Sequence, residues 1–169
     1  MLVLHGSPGS GKSTLARAVS ELWRTADVPH AVIDLDELSL VHPPPPRSFA
    51  MDNLRAIWPR YTAIPGIRMI LPTVVADEDE LVALRAATPA SSFVVCELVA
   101  PVSVLKERVT AREPNEFWRA RLRDFVDLHH RRTDLGRVRD FAVSTHDRPV
   151  EDAAREVIAK ACPSDHVSG

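Results

Sequence analysis

The chain reads as an α/β fold of three layers, a five-stranded parallel sheet with helices on both faces. Three observations predict it. Short apolar runs recur without the polar alternation of a half-exposed sheet, so their strands are covered on both sides. Helical patterns fill nearly every interval between them, the arrangement that parallel crossovers require. The length of 169 residues suits one domain with a proper core and leaves no room for a second.

The first expected strand, residues 2–5, is a purely apolar run closed by His5. It leads into Gly6-Ser7-Pro8-Gly9-Ser10-Gly11-Lys12-Ser13-Thr14, a complete phosphate-binding loop between a strand and a helix. Its glycines allow the backbone to fold tightly with N–H groups pointing inward, where the positive end of the next helix also points. Lys12 adds a mobile charge for the outer phosphates, and the Ser13 hydroxyl suits a magnesium ion. The helix over 12–26 carries Leu15, Ala18, Val19 and Leu22 as its core-facing stripe.

A second strand over 31–34 ends in Asp34-Leu35-Asp36-Glu37 and so sets two carboxylates on the edge where the loop opens. Moving a phosphoryl group to an alcohol requires the acceptor hydroxyl to be deprotonated or aimed in line, which an Asp within hydrogen-bond reach does. Asp36 is the candidate for that task, and Asp34 for a metal-bound water or for orienting Lys12. Capping of the next turn by Asp36 is the competing structural role. The run Pro43-Pro44-Pro45-Pro46 is a stiff connector expected to present a loop at the site.

A helix over 52–64 follows, with Trp58 at helical spacing from Leu54 and therefore in the core. A third strand over 67–73 ends at Thr73 with no acid inside its apolar run, unlike the metal-binding strand of nucleotide-driven motors. Beyond a helix over 78–87, a fourth strand over 93–97 holds Cys96 as a core thiol, with Glu97 closing it either toward solvent or behind the site. Pro101 opens a helix over 102–112, on which Arg108 and Arg112 stand four apart and share one face. Pro114 breaks the pattern before a helix over 116–131, whose arginines are either phosphate ligands or a solvated charged face. His5, His129 and His130 show no metal-ligand spacing, and the last two are expected in solvent. A fifth strand over 141–144, a helix over 150–161 and a flexible tail over 163–169 complete the single domain, 1–162.

A formal charge of −2 displays no polybasic surface, which argues against nucleic acid and membrane as partners. With no bilayer-length apolar run and no leader pattern, the expected location is cytoplasmic.

The loop, the first helix and the hydrophobic-Asp-x-Asp of the second strand resemble the P-loop small-molecule kinases. The layout is similar to adenylylsulfate, gluconate and shikimate kinases and chloramphenicol phosphotransferases. The resemblance implies a P-loop kinase fold with a lid around 108–125, and ATP and Mg²⁺ as cofactors. The activity it implies is transfer of the γ-phosphate to a hydroxyl of a metabolite, nucleoside or antibiotic. By the same resemblance Asp36, and after it Asp34, acts as base or acceptor ligand, while Arg112 touches adenine or the phosphates; Arg108, on the same helical face, is a catalytic candidate because its guanidinium can reach the same region. Arg119 is a further finger, and Asn53, Arg55 and Thr73 belong to the acceptor region. His146 and Arg148 lie in the segment that wraps adenine. The chain lacks the Asp-Gly-Asp-Asn-Arg and Lys-Gly-Leu-Tyr runs of adenylylsulfate kinases, which argues against that acceptor. A nucleoside monophosphate kinase, and an ATP-binding regulatory module without transfer, remain alternatives. Oligomeric state and acceptor stay open.

Overall fold

The computed structural model describes residues 1–46, 48–89 and 91–162; the expected tail, 163–169, lies outside them. Among the described residues five parallel strands form one sheet in the order β2-β3-β1-β4-β5. They are β1 (Leu2–His5), β2 (His30–Val32), β3 (Arg68–Pro72), β4 (Val94–Val99) and β5 (Phe141–Ser144). Around them run α1 (Lys12–Thr25), α2 (Leu35–Leu38), α3 (Ser48–Thr62), α4 (Glu78–Ala87), α5 (Val102–Arg112), α6 (Glu116–His130), α7 (Leu135–Val138) and α8 (Val150–Ala161). Strand β1 is central, pairing with β3 through Val3↔Leu71 and with β4 through His5↔Glu97.

Because successive strand residues point to opposite faces, β1 feeds two cores. Leu2 and Leu4 pack with Leu15, Val19 and Trp23 of α1 and with Ala153, Ala154 and Val157 of α8. Val3 points the other way, into a core with Leu54 and Trp58 of α3, Leu71, Leu84 of α4 and Val95. This double burial is why the strands read as continuous apolar runs. Cys96 lies inside the first core as expected, where burial pushes its thiol up to about 12. Trp58 is 4% exposed, and its indole N–H donates to the Pro89 carbonyl at 3.3 Å.

Several boundaries differ from the sequence reading for local reasons. Strand β2 ends at Val32 because Asp34 turns away as the N-cap of α2 and accepts the Asp36 N–H at 3.1 Å. The ladder persists for one more bond, Ile33 N–H to the Ile70 carbonyl at 3.0 Å. Helix α3 starts at Ser48, four residues before the expected 52. Strand β4 runs on to Val99, so Glu97 lies inside a strand instead of closing it. Helix α6 is held at its start by Asn115, whose side chain accepts the Trp118 N–H at 3.1 Å. It packs back on α5 through Leu105, Val109 and Val126, forming a helical hairpin over the carboxyl edge of the sheet. The short α7 was not anticipated, and α2 only as the turn that Asp36 was considered to cap, since single turns leave no periodicity to read.

Candidate active site

The loop after β1 owes its shape to two close backbone approaches. A Cβ at Gly6 would lie 2.7 Å from the Leu98 carbonyl oxygen, and one at Gly9, whose φ is +79°, 2.7 Å from that of Leu105 on α5. Only glycine fits either place, so the loop nests against β4 and α5. Gly11, at φ 91°, forms the N-cap of α1 and brings the amino end of that helix onto the site. The Lys12 Nζ reaches back to donate to the carbonyls of Gly6 at 2.9 Å and Ser7 at 3.2 Å. Burial lowers its ammonium to about 8, with the Asp36 carboxylate pulling it up, the Arg112 guanidinium pushing it down and Asp34 pulling it up. Those four charges therefore converge on one spot.

The Ser13 hydroxyl donates to Asp34 Oδ2 at 2.9 Å. One side chain thus meets the loop with one oxygen while the other caps α2, and the capping task considered for Asp36 belongs to Asp34. Asp36 sits in the first turn of α2, facing a cavity of about 810 Å³ that Lys12, Ser13, Thr14, Thr73 and Arg112 also line. Pro44, Pro45 and Pro46 border it, as the connector was expected to do. The side of α6 that faces it is apolar, with Leu122, Phe125 and Leu128, the last two largely exposed otherwise.

The remaining site candidates are placed elsewhere. Arg108 does not line the cavity; it donates to the Gly9 carbonyl at 3.3 Å, to Thr145 Oγ1 at 3.2 Å and to the Thr145 carbonyl at 2.8 Å. That makes it a clasp between the loop, α5 and the segment after β5, in place of the catalytic role expected. Thr145 completes the clasp by donating to the Ser10 carbonyl at 2.9 Å. Arg119 closes the α5–α6 turn, donating to the carbonyls of Glu113 at 3.0 Å and Pro114 at 3.1 Å, and so does not act as a finger here. Asn53 donates to the Leu38 carbonyl at 2.8 Å, which fastens α2 to α3 and fixes Asp36 indirectly. Arg55 is exposed, pairs with Asp52 at 2.8 Å and does not line the cavity. His146 pairs with Asp147 at 2.9 Å and Arg148 with Glu156 of α8, so neither lines the cavity.

Behind the cavity lies a polar cluster in which Glu97 takes the second of the two places considered for it and His129 joins it unexpectedly. Glu97, 2% exposed, accepts from His129 Nε2 at 3.2 Å on one oxygen and from Arg139 on the other. Burial alone would raise its carboxyl, but those two hydrogen bonds outweigh it and hold the group below its usual range. His129, expected in solvent, has only 11% of its side chain exposed, and it lines the cavity. Its ring lies 5.2 Å from that of His5, which burial and then the charge of His129 lower to about 3.

Ligand-type atoms of His5, Glu97 and His129 lie within 4.8 Å of one another. The hydrogen bonding nevertheless opposes a cation, because His5 Nδ1 accepts the Val75 N–H at 2.9 Å. The proton of neutral His5 then sits on Nε2, and neither ring nitrogen has a free lone pair. Arg132 and Asp134, also at the cavity, pair at 2.8 Å. A signal for this wall existed in the spacing of Leu122, Phe125 and His129 along α6, one face of a helix.

No protein-family model matches the chain, and a search of curated proteins gives no match. Solved structures do. A gluconokinase from Sinorhizobium meliloti 1021 aligns at 23% identity and a TM-score of 0.64, over 94% of this chain and 89% of that one. The APS kinase CysC of Mycobacterium tuberculosis, in complex with AMPPNP and APS, aligns at 20% identity and 0.65, over 93% and 94%. Kti12 of Chaetomium thermophilum, in complex with ADP-AlF3, aligns at 19% and 0.63, over 95% and 96%. The expected architecture is thereby met: this chain has the fold of the P-loop small-molecule kinases.

Proposed function

We propose that the protein is an ATP- and Mg²⁺-dependent phosphotransferase that moves the γ-phosphate to a hydroxyl of a small molecule. The observation that carries this reading is the meeting of loop and acids. Ser13 touches Asp34, and Asp36 faces the same cavity as Lys12. Loop N–H groups and Lys12 bind the phosphates, and Arg112 spreads the charge of the group in flight. Ser13 and Asp34 are the oxygen donors suited to Mg²⁺, and their contact brings a hydroxyl and a carboxylate to one point, as a hard cation requires. When bound, the ion neutralises phosphate charge.

Asp36 receives the acceptor hydroxyl as a hydrogen bond and aims it in line. The apolar wall of Leu122, Phe125, Met51 and the prolines favours an acceptor with a nonpolar body that carries the hydroxyl. The partner proposed is thus a small molecule rather than nucleic acid or membrane; no helix among the described residues is long and apolar enough to cross a bilayer.

The test is a panel of hydroxyl compounds, plain and phosphorylated, screened by ADP release with Mg·ATP. An acceptor should raise release in the wild type. Asp36→Ala should lower it by about 10²-fold, the cost of a misplaced reactant, while nucleotide binding persists. Binding without a phosphorylated product from any acceptor would instead identify a regulatory module.

A further inference from the structure

The cluster behind the cavity has the connectivity of an acid–base relay. Arg139 holds Glu97 from the far side, and the other carboxylate oxygen accepts from His129 Nε2, so that nitrogen carries the N–H whenever the ring holds a single proton. Nδ1 is then the bare nitrogen, with no hydrogen-bond partner among the described residues, on a ring that lines the cavity shared by Lys12 and Asp36. An imidazole held by a buried carboxylate on the wall of a cavity is the arrangement by which a carboxylate makes histidine a proton acceptor. His5, beside it, is held neutral by burial and by the backbone N–H it accepts. His5 Nδ1 is thus committed to the backbone, and His129 Nδ1 is the nitrogen of the pair left to accept at the cavity.

We propose that His129 is the general base of the transfer reaction and Glu97 its positioning residue. This rests on the phosphotransferase reading above and extends it by naming where the proton goes. As the acceptor oxygen bonds to the γ-phosphorus, its proton passes to His129 Nδ1. The bond from that phosphorus to the bridging oxygen breaks, and its electron pair leaves on ADP. Glu97 stabilises the imidazolium formed. Asp36 aims the hydroxyl, and Lys12 and Arg112 hold the phosphate charge. Other groups facing His129 are His5 from β1 and Glu97 from β4; Arg132 and Lys12 act on His5.

The experiment needs no knowledge of the acceptor. Magnesium, ADP and aluminium fluoride are added to the ¹⁵N-labelled protein, so that water takes the attacking position. Ring nitrogens are followed by long-range proton–nitrogen correlation, with His129→Gln to assign the signal. Without nucleotide, His129 should carry its proton on Nε2, and Glu97→Gln should mix the two tautomers. When the complex forms, the Nδ1 signal should move upfield, as a bare nitrogen does on accepting a hydrogen bond. A proton on Nδ1 in the free protein, or a His129 signal unmoved by the complex, overturns the proposal; a purely structural histidine gives the second result. Failure of the complex to form at all overturns the phosphotransferase reading as well, and the tautomer still reports separately whether Glu97 orients the ring.

Discussion

Lys12 offers a quantitative test, because its proton is needed by the ligand and is held loosely without it. Burial brings the ammonium from 10.5 to about 8 in the nucleotide-free protein, against the partial support of Asp36 and Asp34. A bound triphosphate adds negative charge beside it and restores the proton. If only the protonated form binds, apparent affinity scales with the protonated fraction. That fraction is about nine-tenths at pH 7 and about one-tenth at pH 9, so the dissociation constant rises roughly tenfold, or about 1.4 kcal/mol.

The sign is fixed: affinity falls as pH rises through the nucleotide-free value, where the terminal phosphate of ATP is already ionised, its second pKa being about 6. Binding at pH 9 also takes up about 0.9 proton by the same linkage. Isothermal calorimetry with an ATP analogue in buffers of different ionisation enthalpy measures both quantities. Lys12→Arg, which cannot lose its proton, should flatten the profile whatever it does to affinity. Equal affinity from pH 7 to 9 in the wild type, or an unchanged slope in the arginine variant, would refute the reasoning. The same shift predicts that the unliganded protein gains stability as pH rises from about 8 to 10.5, since the unfolded chain keeps its proton longer.

Other consequences are simpler to check. Gly9→Ala drives a methyl group into the Leu105 carbonyl at a positive φ, so nucleotide binding should fall by at least tenfold, measured by calorimetry, with stability reduced by about 1–3 kcal/mol. Arg108→Ala should lower the melting temperature, read by differential scanning calorimetry, because it leaves the Gly9 and Thr145 carbonyls without their donor. Arg112→Ala, in contrast, should leave melting nearly unchanged and reduce turnover of whichever acceptor the screen finds. Trp58→Ala should cost about 3–5 kcal/mol in urea unfolding, through the cavity left among Leu54, Leu71 and Leu84.

How far the sequence could be read depends on the range of the forces involved. The strands were legible because burial on both faces removes polar positions, as in Leu2-Val3-Leu4 and Met69-Ile70-Leu71. The phosphate loop was legible because the spacing of glycines, lysine and serine dictates local backbone shape, whereas the Ser13–Asp34 contact was not read. Arg108 and Arg119 were not, since a guanidinium bonded to carbonyls looks the same in sequence as one offered to a ligand. The meeting of Glu97 with His129 was hidden for a different reason. They meet because β4 lies beside β1 and because α6 runs for 15 residues before its last turn reaches that edge. Neither strand order nor the folding back of a helical hairpin leaves a periodic trace in the residues themselves.

The contact between Gly9 and the backbone of α5, locked by Arg108, couples phosphate recognition to one half of the hairpin. That half is joined in turn to the other, through Leu105, Val109 and Val126 and the Lys106–Asp127 pair, and the far end of α6 is moored to β4 by His129 and Glu97. Arg112 and the apolar wall of α6 therefore stand in a set relation to the nest of amides. A shift of the nest under a phosphate would be felt along both helices as far as the carboxylate of Glu97.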